Sequence, residues 1–156
     1  MTITWSIKHE LAIHEAGHIV MARVVGVRVT HVEFYPGKDP QATCYQAEEA
    51  RAVIDRAAIM YAGFAAERHL NPERAAHYAT DDLLRFYRLQ VDHERVIART
   101  EAAVAAHWDE IERLAGEIER CNGLYTEELR ALGYWWPAPA RDPTPLARFL
   151  RGPKAL

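Results

Sequence analysis

The N-terminal region reads Ala12-Ile13-His14-Glu15-Ala16-Gly17-His18-Ile19-Val20, an uncharged stretch interrupted by two histidines and one glutamate. Positions i and i+4 of an α-helix lie above one another on one face, so His14 and His18 can share one metal ion. Imidazole nitrogen suits zinc, and a catalytic zinc keeps one position open for water. Glu15 then lies beside the metal, where its carboxylate can take a proton from that water. This pattern is typical of zinc metallopeptidases.

A simpler interpretation of the same stretch stays open, in which His14 and His18 are core histidines that make local hydrogen bonds. It requires the core to satisfy three polar groups on one helix, which is costly unless each finds a partner. Gly17 adds separate information, because glycine inside a helix costs about 1 kcal/mol relative to alanine. It predicts that another element packs closely against the helix backbone at this point.

Length and composition limit the kinds of protein that this chain can be. Its 156 residues suit one domain and leave no room for an ATPase module, and no GxxxxGK[ST] segment occurs. The net charge of -3 and the pI near 6.2 predict no nucleic-acid partner. Cys44 and Cys121 form no CxxC pair, so neither a zinc knuckle nor a disulfide framework is indicated. Without a signal peptide or a long apolar run, the sequence predicts a cytoplasmic protein with no membrane segment.

Apolar periodicity and turn signals predict a mainly α fold, a helical zincin-like domain with a small β-hairpin or sheet next to the metal helix. The hairpin is expected within residues 27–47, around a Pro-Gly turn, and its edge strand is positioned to pair with an extended peptide. Helices are expected over residues 6–25, 48–70, 93–121 and 126–132. A further helix is expected to begin at Thr80 and either to break near Val91 or to continue beyond it. Residues 1–132 would form the domain. Residues 133–156, rich in Trp and Pro, would form a tail that wraps the body or binds a partner.

The third ligand of the metal is not determined by spacing. Catalytic zinc normally takes three protein ligands, and no histidine follows His18 before His31. The candidates are the remaining histidines and several carboxylates: His9, His31, Glu67, His69, His77, Asp81, Asp82, His93, Glu94 and His107.

Several segments together resemble the peptidase domain of the FtsH-type ATP-dependent zinc metalloproteases. The segment 12–20 is similar to the zinc-binding helix of that family, and 29–32 lies where the family has a valine-rich strand. The segments 61–67, Tyr-Ala-Gly-Phe-Ala-Ala-Glu, and 79–83, Ala-Thr-Asp-Asp-Leu, resemble two further family motifs. Residues 107–115 are similar to its last long helix. The resemblance covers most of residues 5–132 and excludes the tail.

The resemblance implies His14, His18 and Asp82 as zinc ligands and Glu15 as the catalytic base. It also implies that Glu67 orients a ligand histidine from outside the ligand set, although an ion pair with Arg68 or Arg74 is an alternative. Asp81 replaces the family's asparagine, so it can compete as ligand or raise the pKa of Asp82. The Asp81-Asp82 pair can also be two solvated acids in the first turn of a helix. The polar turn 35–40 departs from the family pattern as well, which affects how a substrate would be held.

Taken together, the residues and the resemblance predict a stand-alone zinc-dependent metalloendopeptidase. It would hydrolyse a polypeptide substrate through a zinc-bound water and the Glu15 base, without ATP or with a separate ATPase. The alternative is a metal-binding but non-proteolytic regulatory or interaction module of the same fold. A helical domain without any metal is the third possibility. The sequence predicts no particular oligomeric state.

Overall fold

The computed structural model describes residues 6–73 and 80–137. This part of the chain is mainly helical, with one small three-stranded antiparallel sheet, which confirms the predicted fold class. In chain order the elements are α1 Ile7–Val24, β1 Val29–Tyr35, β2 Gln41–Gln46, α2 Val53–Leu70, α3 Thr80–Arg88, α4 His93–Ala106, α5 Trp108–Cys121, β3 Gly123–Leu124 and α6 Thr126–Ala131. Among the described helices, none combines the length and the hydropathy that crossing a lipid bilayer requires.

Helix α1 is the centre of the fold. Ser6 caps its N-terminus by accepting a hydrogen bond from the backbone N–H of His9. Every residue from Glu10 to Ala22 is buried, because α2, α5 and the sheet all pack against this helix. A helix covered in this way has apolar residues all round rather than on one face, which explains why Glu15 is the only formally charged residue from Leu11 to Ala22. The polar side chains that it carries are therefore held among packed neighbours.

Helix α2 approaches α1 most closely at Gly17. A Cβ atom placed on Gly17 would lie 2.7 Å from the carbonyl oxygen of Ala62 and 2.8 Å from the Cβ of Ala66. Both distances are shorter than van der Waals contact, so only glycine fits between the two helices at this separation. The prediction of close packing at Gly17 is confirmed. This contact sets the distance at which α2 crosses the histidines of α1.

The sheet has the order β2-β1-β3 with antiparallel pairing. In the predicted hairpin, now confirmed, Val32 pairs with Cys44 and Glu33 with Thr43. Strand β3 was not predicted, because two residues are too short to show an alternating pattern. β1 lies in the middle, so β2 keeps one edge without a strand partner in the described residues.

The predicted start of one helix is wrong. Helix α2 begins at Val53 and not at residue 48, because the preceding residues extend the hairpin: the N–H of Ala47 donates to the carbonyl of Arg28, and Glu48 accepts from the Arg28 guanidinium. Helix α3 ends at Arg88, and the side chain of Asp92 caps the next helix by accepting from the N–H of Arg95. The break expected near residues 91 and 92 is therefore present.

The predicted single helix over 93–121 is also wrong, because it divides at His107 into α4 and α5. The His107 backbone (φ -109°, ψ 20°) leaves the helical region, and its imidazole lies 3.2 Å from the Glu110 carboxylate. Both halves are amphipathic, so the apolar periodicity continues across a break of one residue. Asn122, in the left-handed region at φ 52°, ends α5 as expected.

The described start of the predicted tail packs on the body. Tyr134 is buried, and its hydroxyl donates a 2.7 Å hydrogen bond to Glu110. The Arg28 guanidinium lies 4.7 Å from the ring centroid of Trp135, which forms a cation–π contact. Residues 138–156, the rest of that predicted tail, lie outside the described residues.

Candidate metal centre

Three side chains from two helices converge on one point. The Nε2 atoms of His14 and His18 are 2.9 Å apart, and each lies 3.1 Å from Oδ2 of Asp82. A tetrahedral zinc ion with bonds of 2.0–2.1 Å to nitrogen separates its ligand atoms by about 3.3 Å. The three donor atoms are therefore within a few tenths of an ångström of the spacing that such an ion needs. No other group of three or more His, Cys, Asp or Glu side chains in residues 6–73 and 80–137 comes this close together.

The other ring nitrogen of each histidine is fixed by an acceptor. Nδ1 of His14 hydrogen-bonds to the carboxylate of buried Glu67, and Nδ1 of His18 lies 2.7 Å from the carbonyl oxygen of Ile59. Because both partners accept, each Nδ1 carries a proton and donates it, so Nε2 is the atom of each ring that can give up its proton and present a lone pair to a cation. Lone pairs at 2.9 Å repel unless a proton or a cation lies between them. Metal-ligating histidines are typically oriented in this way.

Gly63 gives the two imidazoles their space. A Cβ atom on this residue would lie 2.5 Å from Nε2 of His18 and 2.6 Å from Cε1 of His14. No side chain fits there without moving the rings. Although Gly63 belongs to the segment 61–67, the sequence reasoning assigned it no role. The signal available was a glycine inside a small-residue helix, which often marks a close approach.

Asp82 comes from the first turn of α3 and is the most exposed of the three, with 27 % of its side chain accessible. Burial would raise its pKa, but hydrogen bonds to His14 and His18 outweigh this and hold the pKa well below its usual range. Burial likewise would lower the pKa of His14, but hydrogen bonds to Asp82 and Glu67 raise it to about 10. Asp82 is therefore a carboxylate at neutral pH, the form that binds metal ions.

Glu15 lies beside the donor group on α1. It is 5 % exposed and lines the same cleft as the two histidines. Burial raises the pKa of its carboxyl, while the nearby rings of His14 and His18 lower it. A carboxyl group with a raised pKa can accept and return a proton near neutral pH. The structure thus brings Glu15, His14, His18 and Asp82 together.

The other candidates occupy different places. Asp81 is exposed and lines the cleft but is not among the converging donors, and Glu67 holds His14 rather than an arginine. The remaining described candidates lie away from the centre or bind elsewhere: His9 pairs with Glu119, His31 stacks on Tyr45, His69 contacts Trp108, His93 lies near the carbonyl of Phe86, His107 lies near Glu110, and Glu94 is exposed. His77 and Arg74 lie outside the described residues.

A cleft of about 580 Å³ opens over the centre, between α1, β2, α2 and α3. One wall is strand β2, whose residues from Gln41 to Cys44 line the space. Cys44 is one of these lining residues, and burial, with smaller contributions from Glu15 and Asp82, raises the pKa of its thiol well above the usual value. The thiol is therefore protonated at neutral pH and is not one of the converging donors. The remaining lining residues include two arginines, Arg56 and Arg85, that the sequence reasoning did not single out.

Comparison with known proteins does not assign this chain to a family. No protein-family model matches the sequence, and no curated protein matches it. The resemblance to the FtsH-type peptidase domain therefore stays a prediction.

Proposed function

We propose that the protein is a zinc-dependent metalloendopeptidase. The observation that carries this proposal is the convergence of His14 Nε2, His18 Nε2 and Asp82 Oδ2 next to buried Glu15 in an open cleft. Two imidazoles and a carboxylate are a donor set that zinc accepts. A polypeptide substrate, a cytoplasmic location and the lack of a nucleic-acid partner remain predictions from the sequence.

The residues present fit a metal ion of this kind. His14, His18 and Asp82 would hold it, with Glu67 and the Ile59 carbonyl keeping both rings in the tautomer that presents Nε2. When bound, zinc supplies Lewis-acid chemistry that acidifies water and polarises a peptide carbonyl. The protein contributes a fixed geometry, since α1 packs closely against α2 at Gly17 and the rings of His14 and His18 pack against α2 at Gly63.

Glu15 would move the proton. Its buried carboxylate accepts a proton from the attacking water and then donates it to the nitrogen of the departing amine, so one group acts as base and as acid. Glu15 lines the same cleft as His14 and His18, so its carboxylate shares the site with the water that it would deprotonate. Burial also excludes bulk water from the proton transfer.

Strand β2 offers a place for the substrate backbone. It lines the cleft from Gln41 to Cys44 and pairs with β1 along one edge, which leaves its other edge for an extended peptide. Backbone hydrogen bonds along such an edge position a peptide regardless of its side chains. This arrangement supports cleavage within a chain.

Digestion of casein with and without a chelator tests the proposal. The wild type should cleave casein, and the chelator should abolish cleavage until zinc is restored. Glu15→Gln should keep its zinc and lose cleavage by about 100-fold or more, as expected for removal of a general base. Glu112→Gln is the matched control, because Glu112 is an exposed residue of α5 that does not line the cleft.

Full cleavage by Glu15→Gln would overturn the mechanism. A wild type that binds zinc and cleaves nothing would instead support the non-proteolytic metal-binding module.

A further inference from the structure

Arg85 is a cleft residue that the proposed chemistry does not use. It lies on α3 three residues after Asp82, and its side chain lines the cleft. Residues three apart on a helix share a face, so the guanidinium is on the same side of α3 as the candidate ligand. No hydrogen bond or ion pair joins Arg85 to another residue of the described chain. By contrast, Arg23 holds the Glu110 carboxylate at 2.7 Å.

A second arginine lines the same cleft from α2. Arg56 contacts Glu49, but the two atoms are 3.9 Å apart and the Glu49 side chain is 85 % exposed. Exposed ion pairs of this length contribute little, so Glu49 does not occupy the guanidinium strongly. The cleft therefore presents two cationic groups from two helices that are available to a ligand.

None of the acidic residues that line the cleft forms an ion pair with Arg85. Glu15 and Asp82 face the histidines, while Asp81 lies at the exposed rim. Asp81 is four residues before Arg85, a spacing that allows an ion pair, yet the two side chains are not paired. Because Asp81 lies one helical turn from Arg85 and does not pair with it, the Asp81 carboxylate would compete with a ligand carboxylate for the guanidinium.

We propose that the cleft selects peptides that carry a carboxylate close to the scissile bond, with Arg85 binding that carboxylate and Arg56 assisting. This inference rests on the proposed function, because it names the substrate class of the same site. A guanidinium binds a carboxylate through two parallel hydrogen bonds, a geometry that an ammonium or amide group does not reproduce. The carboxylate belongs either to an Asp or Glu side chain or to the C-terminus of the peptide.

Helix geometry limits where that carboxylate lies. Three residues of α-helix advance about 4.5 Å, so Arg85 begins about 4.5 Å along α3 from Asp82. An extended peptide advances about 3.3 Å per residue. This offset corresponds to about one to two extended residues. Because the arginine side chain is long, the carboxylate is expected within about three residues of the scissile bond.

Binding of fluorescent peptides to the zinc-supplemented Glu15→Gln protein tests the inference without needing cleavage. One series places Glu or Gln at each of three positions on either side of the central peptide bond. A second series compares peptides with a free and with an amidated C-terminus. We expect the carboxylate peptide of one series to bind about 10-fold more tightly than its amide counterpart. The series that shows the difference identifies the source of the carboxylate.

Substitutions in the same background assign the effect to a residue. Arg85→Gln should reduce the preference to about 2-fold or less, and the Arg56→Gln, Arg85→Gln double variant should remove it. Asp81→Asn should strengthen it by removing the competitor. Arg88→Gln is the matched control, since it removes the same charge from an exposed residue of α3 that does not line the cleft. Zinc content and thermal unfolding of each variant verify the fold.

Two results would overturn the inference: a preference that survives in the double variant, or an equal loss in Arg88→Gln, which would reveal a general charge effect. Failure of the proposed function looks different. If the wild type cleaves none of these peptides but the Arg85-dependent preference appears in binding, recognition of a carboxylate by Arg85 stands and the peptidase proposal falls. If the wild type cleaves Glu and Gln peptides equally and binding shows no preference, the peptidase proposal stands and the inference about Arg85 falls.

Discussion

Replacing Gly63 by alanine is the sharpest structural test of the centre. The added Cβ would meet His18 Nε2 at 2.5 Å and His14 Nε2 at 2.7 Å, whereas ordinary contact begins at 3.4 Å. The rings must therefore move by roughly 0.7 to 0.9 Å, the difference between these distances. Metal–ligand distances tolerate changes of only about 0.2 Å. We expect Gly63→Ala to lower zinc affinity by at least about 10-fold, which is the lower range of the losses seen when the orientation of a ligand is disturbed.

Competition with a chelating zinc indicator measures this affinity, and thermal unfolding of the metal-free protein measures the fold. Gly116→Ala is the matched control, because Gly116 lies inside α5 with nothing within 4 Å of an added Cβ. There the substitution should stabilise the protein by about 1 kcal/mol through helix propensity alone and leave zinc affinity unchanged. Equal zinc affinity in Gly63→Ala and the wild type would refute the proposed position of the imidazoles.

Three further predictions concern helix packing, the orientation of His14 and one ion pair away from the centre. Gly17→Ala should destabilise the protein by about 1–3 kcal/mol in urea unfolding, because the new methyl group meets the backbone of α2, and unchanged stability would contradict the close approach. Glu67→Gln should lower zinc affinity by about 10- to 100-fold in the same indicator assay, and an undiminished affinity would show that His14 is oriented by other contacts. The pKa of Glu110 is lowered: burial raises it, but hydrogen bonds from Tyr134 and Arg23 prevail. The Glu110 carboxylate therefore stabilises the fold above its unfolded pKa near 4.5, and this contribution is lost as pH falls from there through the lowered pKa of the folded protein. Glu110→Gln should lose less stability than the wild type between pH 6 and pH 3. Parallel losses in the two proteins would contradict this.

The parts of the site that lie within one helix were predictable from the sequence. The spacing of His14 and His18 fixes their common face once the segment is helical, and Gly17 indicated a close neighbour before that neighbour was known. The β-forming residues on both sides of the Pro-Gly turn likewise identified β1 and β2. Each of these signals is local, so it did not depend on how the helices are arranged.

The parts that depend on packing between distant elements were not determined by spacing. Asp82 lies 64 residues after His18, and nothing in the periodicity distinguished it from Asp81 or Glu67. The resemblance to a known family pointed to Asp82, and the structure brings its carboxylate to both imidazoles. The acceptor for His18 Nδ1 is the backbone carbonyl of Ile59, and because every residue has such a carbonyl, the residue type at position 59 could not predict this contact.

The missed boundaries have a similar cause. Apolar periodicity continues through His107 because α4 and α5 each have an apolar face, so one non-helical residue leaves no signal in the pattern. Residues 48–52 have reasonable helix propensity, yet pairing with Arg28 holds the first of them at the end of the hairpin. Tertiary contacts outweigh propensity there.

Elemental analysis of the purified protein tests the central claim most directly. We predict one zinc ion per chain in the wild type, the same content in Asp81→Ala, and a loss to less than about one tenth in Asp82→Ala at equal chelator concentration. A wild type without transition metal, or an Asp82→Ala variant that keeps its full zinc content, would contradict the assignment of His14, His18 and Asp82 as a metal centre.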